Sequence, residues 1–179
     1  MRLLALVVAL LAVNSVHAID TGAQSHRVIV DAGSTGSRFH IFRYEGDENF
    51  LVSSETLGKV KPGLSSFVDS ANDDFKGGEA VMKQWNVLMT EAATRLALLT
   101  KKPVPLLVRA TAGMRALPQE QQERLYESIR AEFEVRYAES FAVKFVLSLG
   151  TLTGEQEAWF GFLAANYLSE PAAAAAGGC

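Results

Sequence analysis

Asp31-Ala-Gly-Ser-Thr-Gly-Ser-Arg38 is the stretch on which the fold turns. Ahead of it stands Arg27-Val-Ile-Val-Asp31, apolar and β-branched, which predicts a buried strand. Behind it, residues 39–44 alternate and stop at Glu45-Gly46-Asp47, which predicts a second strand closing a hairpin. The turn over 31–38 therefore joins strand to strand. A Walker-type loop joins strand to helix and needs a Lys before Ser or Thr, so that reading is excluded. Gly33 and Gly36 let the backbone approach a ligand closely. Successive N–H groups of such a turn can converge on an anion. Ser34, Thr35 and Ser37 add hydroxyl donors, and Arg38 adds a planar fork matched to phosphate oxygens. Asp31, at a strand end, suits a hydrated divalent cation. Gly, Ser and Asp are also ordinary turn residues. The weight falls on anion binding because Ala32 is the one apolar filler among the eight.

Outward from this hairpin, residues 51–60 predict a third strand and 61–78, with Pro62, Gly63, Gly77 and Gly78, a loop with at most a short helical turn. Val81, Met82, Trp85, Leu88, Met89, Ala92, Leu96 and Leu99 recur at three and four, an amphipathic helix over 79–100. Strands are expected at 105–110 and 141–147. Between them Pro118 suits a first helical position, with helix continuing to about residue 136. Thr153 and Gln156 form a capping box for a last helix over 154–168. The order is β-β-β-α-β-α-β-α. Hairpins suit antiparallel pairing and the later alternation suits parallel crossovers, hence an α/β domain with a mixed five-stranded sheet.

Two further segments carry chemistry. Ala110-Thr-Ala-Gly-Met-Arg115 follows a buried strand and precedes a helix, where α/β sheets commonly meet ligands. Thr111 suits donation to a phosphate or the holding of a water. Arg115 suits an anion or the capping of carbonyls. Gly154-Glu-Gln-Glu-Ala158 opens the last helix, where Glu155 and Glu157 favour the positive end of the helix dipole. Either carboxylate suits the role of general base toward an attacking water.

The whole sequence of 179 residues is 49% hydrophobic, which excludes a disordered chain, and its net charge of −3 argues against a nucleic-acid partner. Residues 1–18 read as a signal peptide: Arg2, an apolar run over 3–13 too short to span a bilayer, then Val16 and Ala18 at small-residue positions. Residues 19–26 read as a linker, 27–170 as one domain, and 171–179 as an unstructured Ala/Gly tail ending in Cys179. No second long apolar run marks a transmembrane anchor, and the chain is expected in the secretory pathway, secreted or in the ER or Golgi lumen.

VIVDAGSTGSRFHIFRY at 28–44, KPGLSSF at 61–67, ATAGMRAL at 110–117 and TGEQEAWFGFLAANYL at 153–168 together resemble the nucleoside triphosphate diphosphohydrolase (apyrase) family, in the family's order. The first is closest to soluble apyrases and lumenal nucleoside diphosphatases. The resemblance implies the N-terminal lobe of an actin-like fold, a ribonuclease-H-like unit. It implies hydrolysis of terminal phosphates of nucleoside di- and triphosphates with Ca2+ or Mg2+. By position, Asp31 would hold the metal through water, and Gly33, Ser34, Thr35, Gly36, Ser37 and Arg38 would form the phosphate loop. Thr111 and Arg115 would lie near the phosphates, and Glu157 would be the catalytic base. Ala158 departs from the family's usual glycine. The family's second glycine-rich phosphate loop is not among the 179 residues, so the chain reads as half of a cleft. A complementary second lobe or self-association is the expected partner besides the nucleotide. The alternative is a non-catalytic nucleotide-binding or protein-interaction lobe.

Overall fold

Seven consecutive buried positions, His26 to Ala32, run down one strand without a polar, solvent-facing alternate. A strand like that has to be covered on both faces. It is β1 (Ser25–Gly33), the centre of the sheet in a computed structural model that describes residues 25–45, 50–68 and 77–169. The neighbours are β2 (Gly36–Glu45), β3 (Phe50–Val60), β4 (Val104–Ala110) and β5 (Phe145–Thr151), in the order β3-β2-β1-β4-β5. β1, β2 and β3 pair antiparallel, and β4 pairs parallel with both β1 and β5. The helices are α1 (Gly77–Ala97), the single turn α2 (Ala112–Arg115), α3 (Gln119–Glu132) and α4 (Gly154–Ser169). This is the expected α/β architecture, with the mixed five-stranded sheet and the β-β-β-α-β-α-β-α order of the ribonuclease-H-like unit.

Strand alternation sorts the side chains onto two faces. Val28, Val30, Ala32, Phe39, Ile41, Leu106, Val108 and Ala110 share one core with the apolar stripes of α1 and α3. Trp85 of α1 meets Phe39 edge to face at 5.8 Å. The opposite face carries Arg27, Ile29, Asp31, His40, Phe42, Tyr44, Leu107 and Arg109, all buried. Polar groups are thus concentrated on one side of the sheet. His40 gives or takes a hydrogen bond at Nδ1 with Thr56 Oγ1 (3.0 Å), and burial, helped by the nearby Arg38, pulls its pKa down to about 4.

Several boundaries differ from the expected ones. The turn is not eight residues long: Asp31 pairs with Arg38, Ala32 with Ser37 and Gly33 with Gly36, so that only Ser34 and Thr35 lie outside the ladder. Gly36 makes this tight reversal possible at a φ of 153°, and a Cβ there would run into the Val60 carbonyl oxygen. β1 starts at Ser25, two residues into the expected linker. β5 sits four residues later than the apolar run over 141–147. Phe141 leaves the strand to stack on Tyr137 (6.1 Å) and to meet Phe145 (5.5 Å). α3 stops at Glu132 and continues as a π-turn over Phe133–Tyr137, and α1 occupies 77–97 in place of 79–100. The short turn expected after β3 is a 3-10 turn at Leu64–Phe67. The leader and the Ala/Gly tail lie outside the described residues.

Candidate functional site

The segments 31–38, 61–67 and 110–117 meet at the tip of the first hairpin, and glycines set how closely. A Cβ on Gly63 would strike the carbonyl oxygens of Ser34 and Gly33, and one on Gly113 would stand 2.9 Å from Ser34 Cα and 3.1 Å from Ser65 Oγ. The loop after β3 and the turn α2 are wedged against the backbone of the tip for this reason. Ser34 and Thr35 themselves are exposed. Among the described residues, no backbone carbonyl outside the β-ladders accepts from their N–H groups. The tip is therefore open on the side away from Gly63 and Gly113.

Asp31 lies three residues before this tip on the polar face. It is 1% exposed, and its Oδ1 is buried without a hydrogen-bond partner. Its Oδ2 stands 3.7 Å from Nη1 of Arg38, its partner in the ladder. Burial pushes the Asp31 carboxyl up from its ordinary pKa. Arg38 and, more weakly, Lys59 oppose this, while the negative charge of Glu157 adds to it. A buried carboxylate with an unused oxygen is costly, and a group that satisfies it repays that cost.

Glu157 reaches the same place from α4. The junction before α4 is tied down from several sides. Leu152 N–H donates to Ala110 O (2.8 Å), and Arg115 Nη1 donates to Leu152 O (3.1 Å). Thr151 Oγ1 donates to Gln122 Oε1 (2.7 Å), so the Tyr126 hydroxyl must be the donor in its 2.6 Å contact with Thr151 Oγ1. The predicted capping box is formed: Gln156 N–H donates to Thr153 Oγ1 (3.1 Å), and Thr153 N–H to Gln156 Oε1 (3.0 Å). Thr153→Ala is expected to cost about 1 kcal/mol of stability in a urea unfolding curve. With the helix start fixed, Glu157 turns inward and accepts from Arg115 Nη1 at 2.6 Å through Oε2. Glu157 Oε1 takes no bond among the described residues. Glu155, the other carboxylate of this turn, is exposed.

Of the remaining predicted residues, Thr111 is buried at the N-cap of α2, yet its hydroxyl makes no cap bond. The turn is held by its carbonyl, which accepts from Met114 and Arg115 N–H groups. Ser37 does not join the others. It is fully buried, and alternation puts it on the α1 side of the sheet with Phe39. Lys59 was missed by sequence reasoning. It faces Arg38 in the ladder and donates from Nζ to Thr35 Oγ1 at 2.9 Å. Only the register of β3, which carries two irregularities, brings it there.

Among the described residues no helix is long and apolar enough to cross a membrane. Residues 17–170 match the GDA1/CD39 (nucleoside phosphatase) family. Relatives include ectonucleoside triphosphate diphosphohydrolase 4 of Mus musculus, 28% identical over 170 residues, covering 87% of this chain and 26% of that protein. Probable apyrase 1 of Oryza sativa is 29% identical, over 86% of this chain and 30% of its own length. The guanosine-diphosphatase of Candida albicans is 32% identical, over 79% and 22%. The chain thus spans between a fifth and a third of the length of these relatives. A crystal structure of nucleoside triphosphate hydrolases from Neospora caninum shares the fold, with a TM-score of 0.59 at 22% identity, covering 83% of this chain and 32% of that one. With the match extending over the β-hairpin, the Thr111 turn and the Glu157 helix alike, the chain belongs to the GDA1/CD39 nucleoside phosphatase family.

Proposed function

We propose that this chain supplies one wall of a nucleotide phosphohydrolase site, in which water displaces the terminal phosphate of a nucleoside di- or triphosphate. One observation carries the reading: Asp31 keeps a buried carboxylate oxygen without a partner beside an open glycine-and-hydroxyl tip, and the charge of the Arg115-held Glu157 bears on that carboxyl. The names of the relatives, apyrase and nucleoside diphosphatase, point the same way.

The residues derive the following chemistry. The amides and hydroxyls of Ser34 and Thr35, with Arg38, bind the phosphate oxygens and take up charge as it shifts in the transition state. Glu157 accepts the proton of the attacking water at Oε1, the oxygen left open by Arg115. The water oxygen forms a bond to the terminal phosphorus, the bridging P–O bond breaks, and the shortened nucleotide leaves with that electron pair. Arg115 then acts through Glu157 and need not touch phosphate. Arg115→Gln is expected to lower kcat about tenfold with little change in KM, whereas a phosphate contact would raise KM.

A divalent cation fits this wall in one form only. Among the described residues no group of three or more acidic, His or Cys side chains is present to cage a metal. Asp31 Oδ1 is a single hard oxygen in want of a partner, which suits Ca2+ or Mg2+ held mostly by waters and substrate phosphates. When bound, such an ion supplies positive charge against the phosphate oxygens.

The test is phosphate release from ADP, GDP, UDP and ATP by the chain with Ca2+ or Mg2+, beside equilibrium binding of the same nucleotides. Release sustains the hydrolase reading. Binding without release makes this a nucleotide-binding wall whose catalysis depends on other segments, and absence of both overturns the proposal. The secretory location follows from the leader reading of residues 1–18 and is checked by signal-peptide cleavage during expression in a secreting host.

A further inference from the structure

At the register of Asp31 the sheet carries a row of charged residues: Lys59 on β3, Arg38 on β2, Asp31 on β1 and Arg109 on β4. Arg109 turns to the far side, where its Nη1 donates to Ser148 O and Oγ (3.3 Å each) and to Val108 O (3.0 Å). Arg38 takes up the one carboxylate of the row. Lys59 is left with no ion-pair partner among the described residues and rests on a neutral oxygen, Thr35 Oγ1. Its ammonium is pulled below the ordinary Lys pKa by lost hydration and by the charges of Arg38 and Lys61, with Asp31 opposing. Arg38, Lys59 and Lys61 stand close enough to repel one another, and a multiply charged anion among them relieves that repulsion.

The geometry also separates two ends of that anion. In the nucleotide reading above Glu157 acts at the Asp31 end, where its charge bears on that carboxyl and its Oε2 is tied to Arg115. Lys59 stands two strands away, about 10 Å across the sheet at the backbone. The phosphate under attack has to lie by Glu157, so the long Lys59 side chain falls on the next phosphate along. Its bond to Thr35 adds a second effect. A hydroxyl whose oxygen already accepts from an ammonium keeps its own proton free to donate, here into the open tip.

We infer that Lys59 is a specificity-determining residue that selects ligands with two or more linked phosphates, by pairing with the phosphate next to the terminal one and holding the Thr35 hydroxyl as a donor. This rests on the nucleotide reading above and deepens it.

The experiment is a set of titrations of the 179-residue chain, in Mg2+ buffer, with ADP, AMP, pyrophosphate and inorganic phosphate. Lys59→Met is expected to weaken ADP and pyrophosphate about tenfold and to change AMP and phosphate by less than about twofold. Lys59→Arg is expected to restore most of the loss. Thr35→Val should weaken the same two ligands about threefold. Raising the salt should weaken ADP binding to the parent chain more than to Lys59→Met. Lys59 is half-buried on the edge strand β3, and Met and Arg keep the length of its apolar stem, so these variants should melt close to the parent. Unchanged ADP affinity in Lys59→Met overturns the inference alone, as does an equal loss for all four ligands. A parent chain that binds none of the four overturns the nucleotide reading and this inference with it.

Discussion

Exchanging Glu157 for glutamine is expected to cut phosphate release from ADP and ATP by about a thousandfold while nucleotide affinity stays within about twofold. The substitution keeps the shape and removes the base. A glutamine Oε1 can still accept from Arg115 Nη1, so the tie between α2 and α4 survives, as does the path from Arg115 to Leu152 O. What is lost is the oxygen that receives the water's proton. Glu155→Gln on the same helical turn is the matching control, because that side chain is exposed and should leave the rate within about twofold. Rates are to be read at saturating nucleotide, so that a binding defect cannot pass for a chemical one. Retention of activity by Glu157→Gln would move the base elsewhere, and equal losses at 155 and 157 would indicate damage to the helix start.

The start of α4 was legible in the sequence because its cue is local: a capping box at Thr153 and Gln156 places the helix start, while the choice of Glu157 over Glu155 came from the family resemblance alone. The core face of α1 was legible for a similar reason, since a period of three and four needs no partner to be seen. The hairpin was read correctly in kind and wrongly in extent. Gly, Ser and Asp carry loop character in isolation, but pairing across to Arg38 and Ser37 keeps Asp31 and Ala32 extended. β5 was displaced because 141–147 has the apolar content of a strand. The parallel register to β4 instead draws in residues 148–151, where Ser148 and Gly150 carry little strand character, and aligns Thr151 with Ala110. Ser37 and Lys59 failed in opposite directions for one cause. Which face a strand residue occupies depends on register, and a hydroxyl in a glycine-rich run says nothing about face. Lys59 becomes visible only once β3, with its extra residues near Leu57 and Val52, is aligned on β2.

The glycines explain why these segments belong together. Gly63 and Gly113 have no freedom to spare for a side chain, since both back directly onto Ser34. The wedge they form holds the hairpin tip from beneath and leaves the Ser34 and Thr35 side chains exposed. A surface loop gains a fixed shape by this means without burying its own donors. The polar face supplies the rest: Asp31 below the tip, Arg38 beside it, and Glu157 arriving from a helix whose start is bonded to β4, α2 and α3.

Asp31→Asn is expected to separate stability from function. In metal-free buffer near pH 7 the variant should be more stable than the parent by about 1 to 2 kcal/mol, because a buried neutral amide lacking one partner costs less than a buried carboxylate lacking one. The pH dependence follows from the direction of the shift. The Asp31 carboxyl is raised in the folded chain, chiefly by burial, so the folded state holds this proton more tightly than the unfolded one. Its contribution to stability is then fully present below the unfolded value of about 3.9 and is lost as pH rises through the raised folded value. The advantage of Asp31→Asn should accordingly be absent at low pH, grow through that window and level off above it. Added Mg2+ or Ca2+ with nucleotide should stabilise the parent, by mass action on the folded state, and should do little for the variant. Phosphate release should meanwhile fall by about a hundredfold and lose its dependence on the divalent ion. Urea unfolding across pH, with and without Mg2+, together with rate against metal concentration, reads all of this. A variant less stable than the parent at neutral pH would mean that Asp31 serves the fold through Arg38, 3.7 Å away, and that its second oxygen does not await a cation.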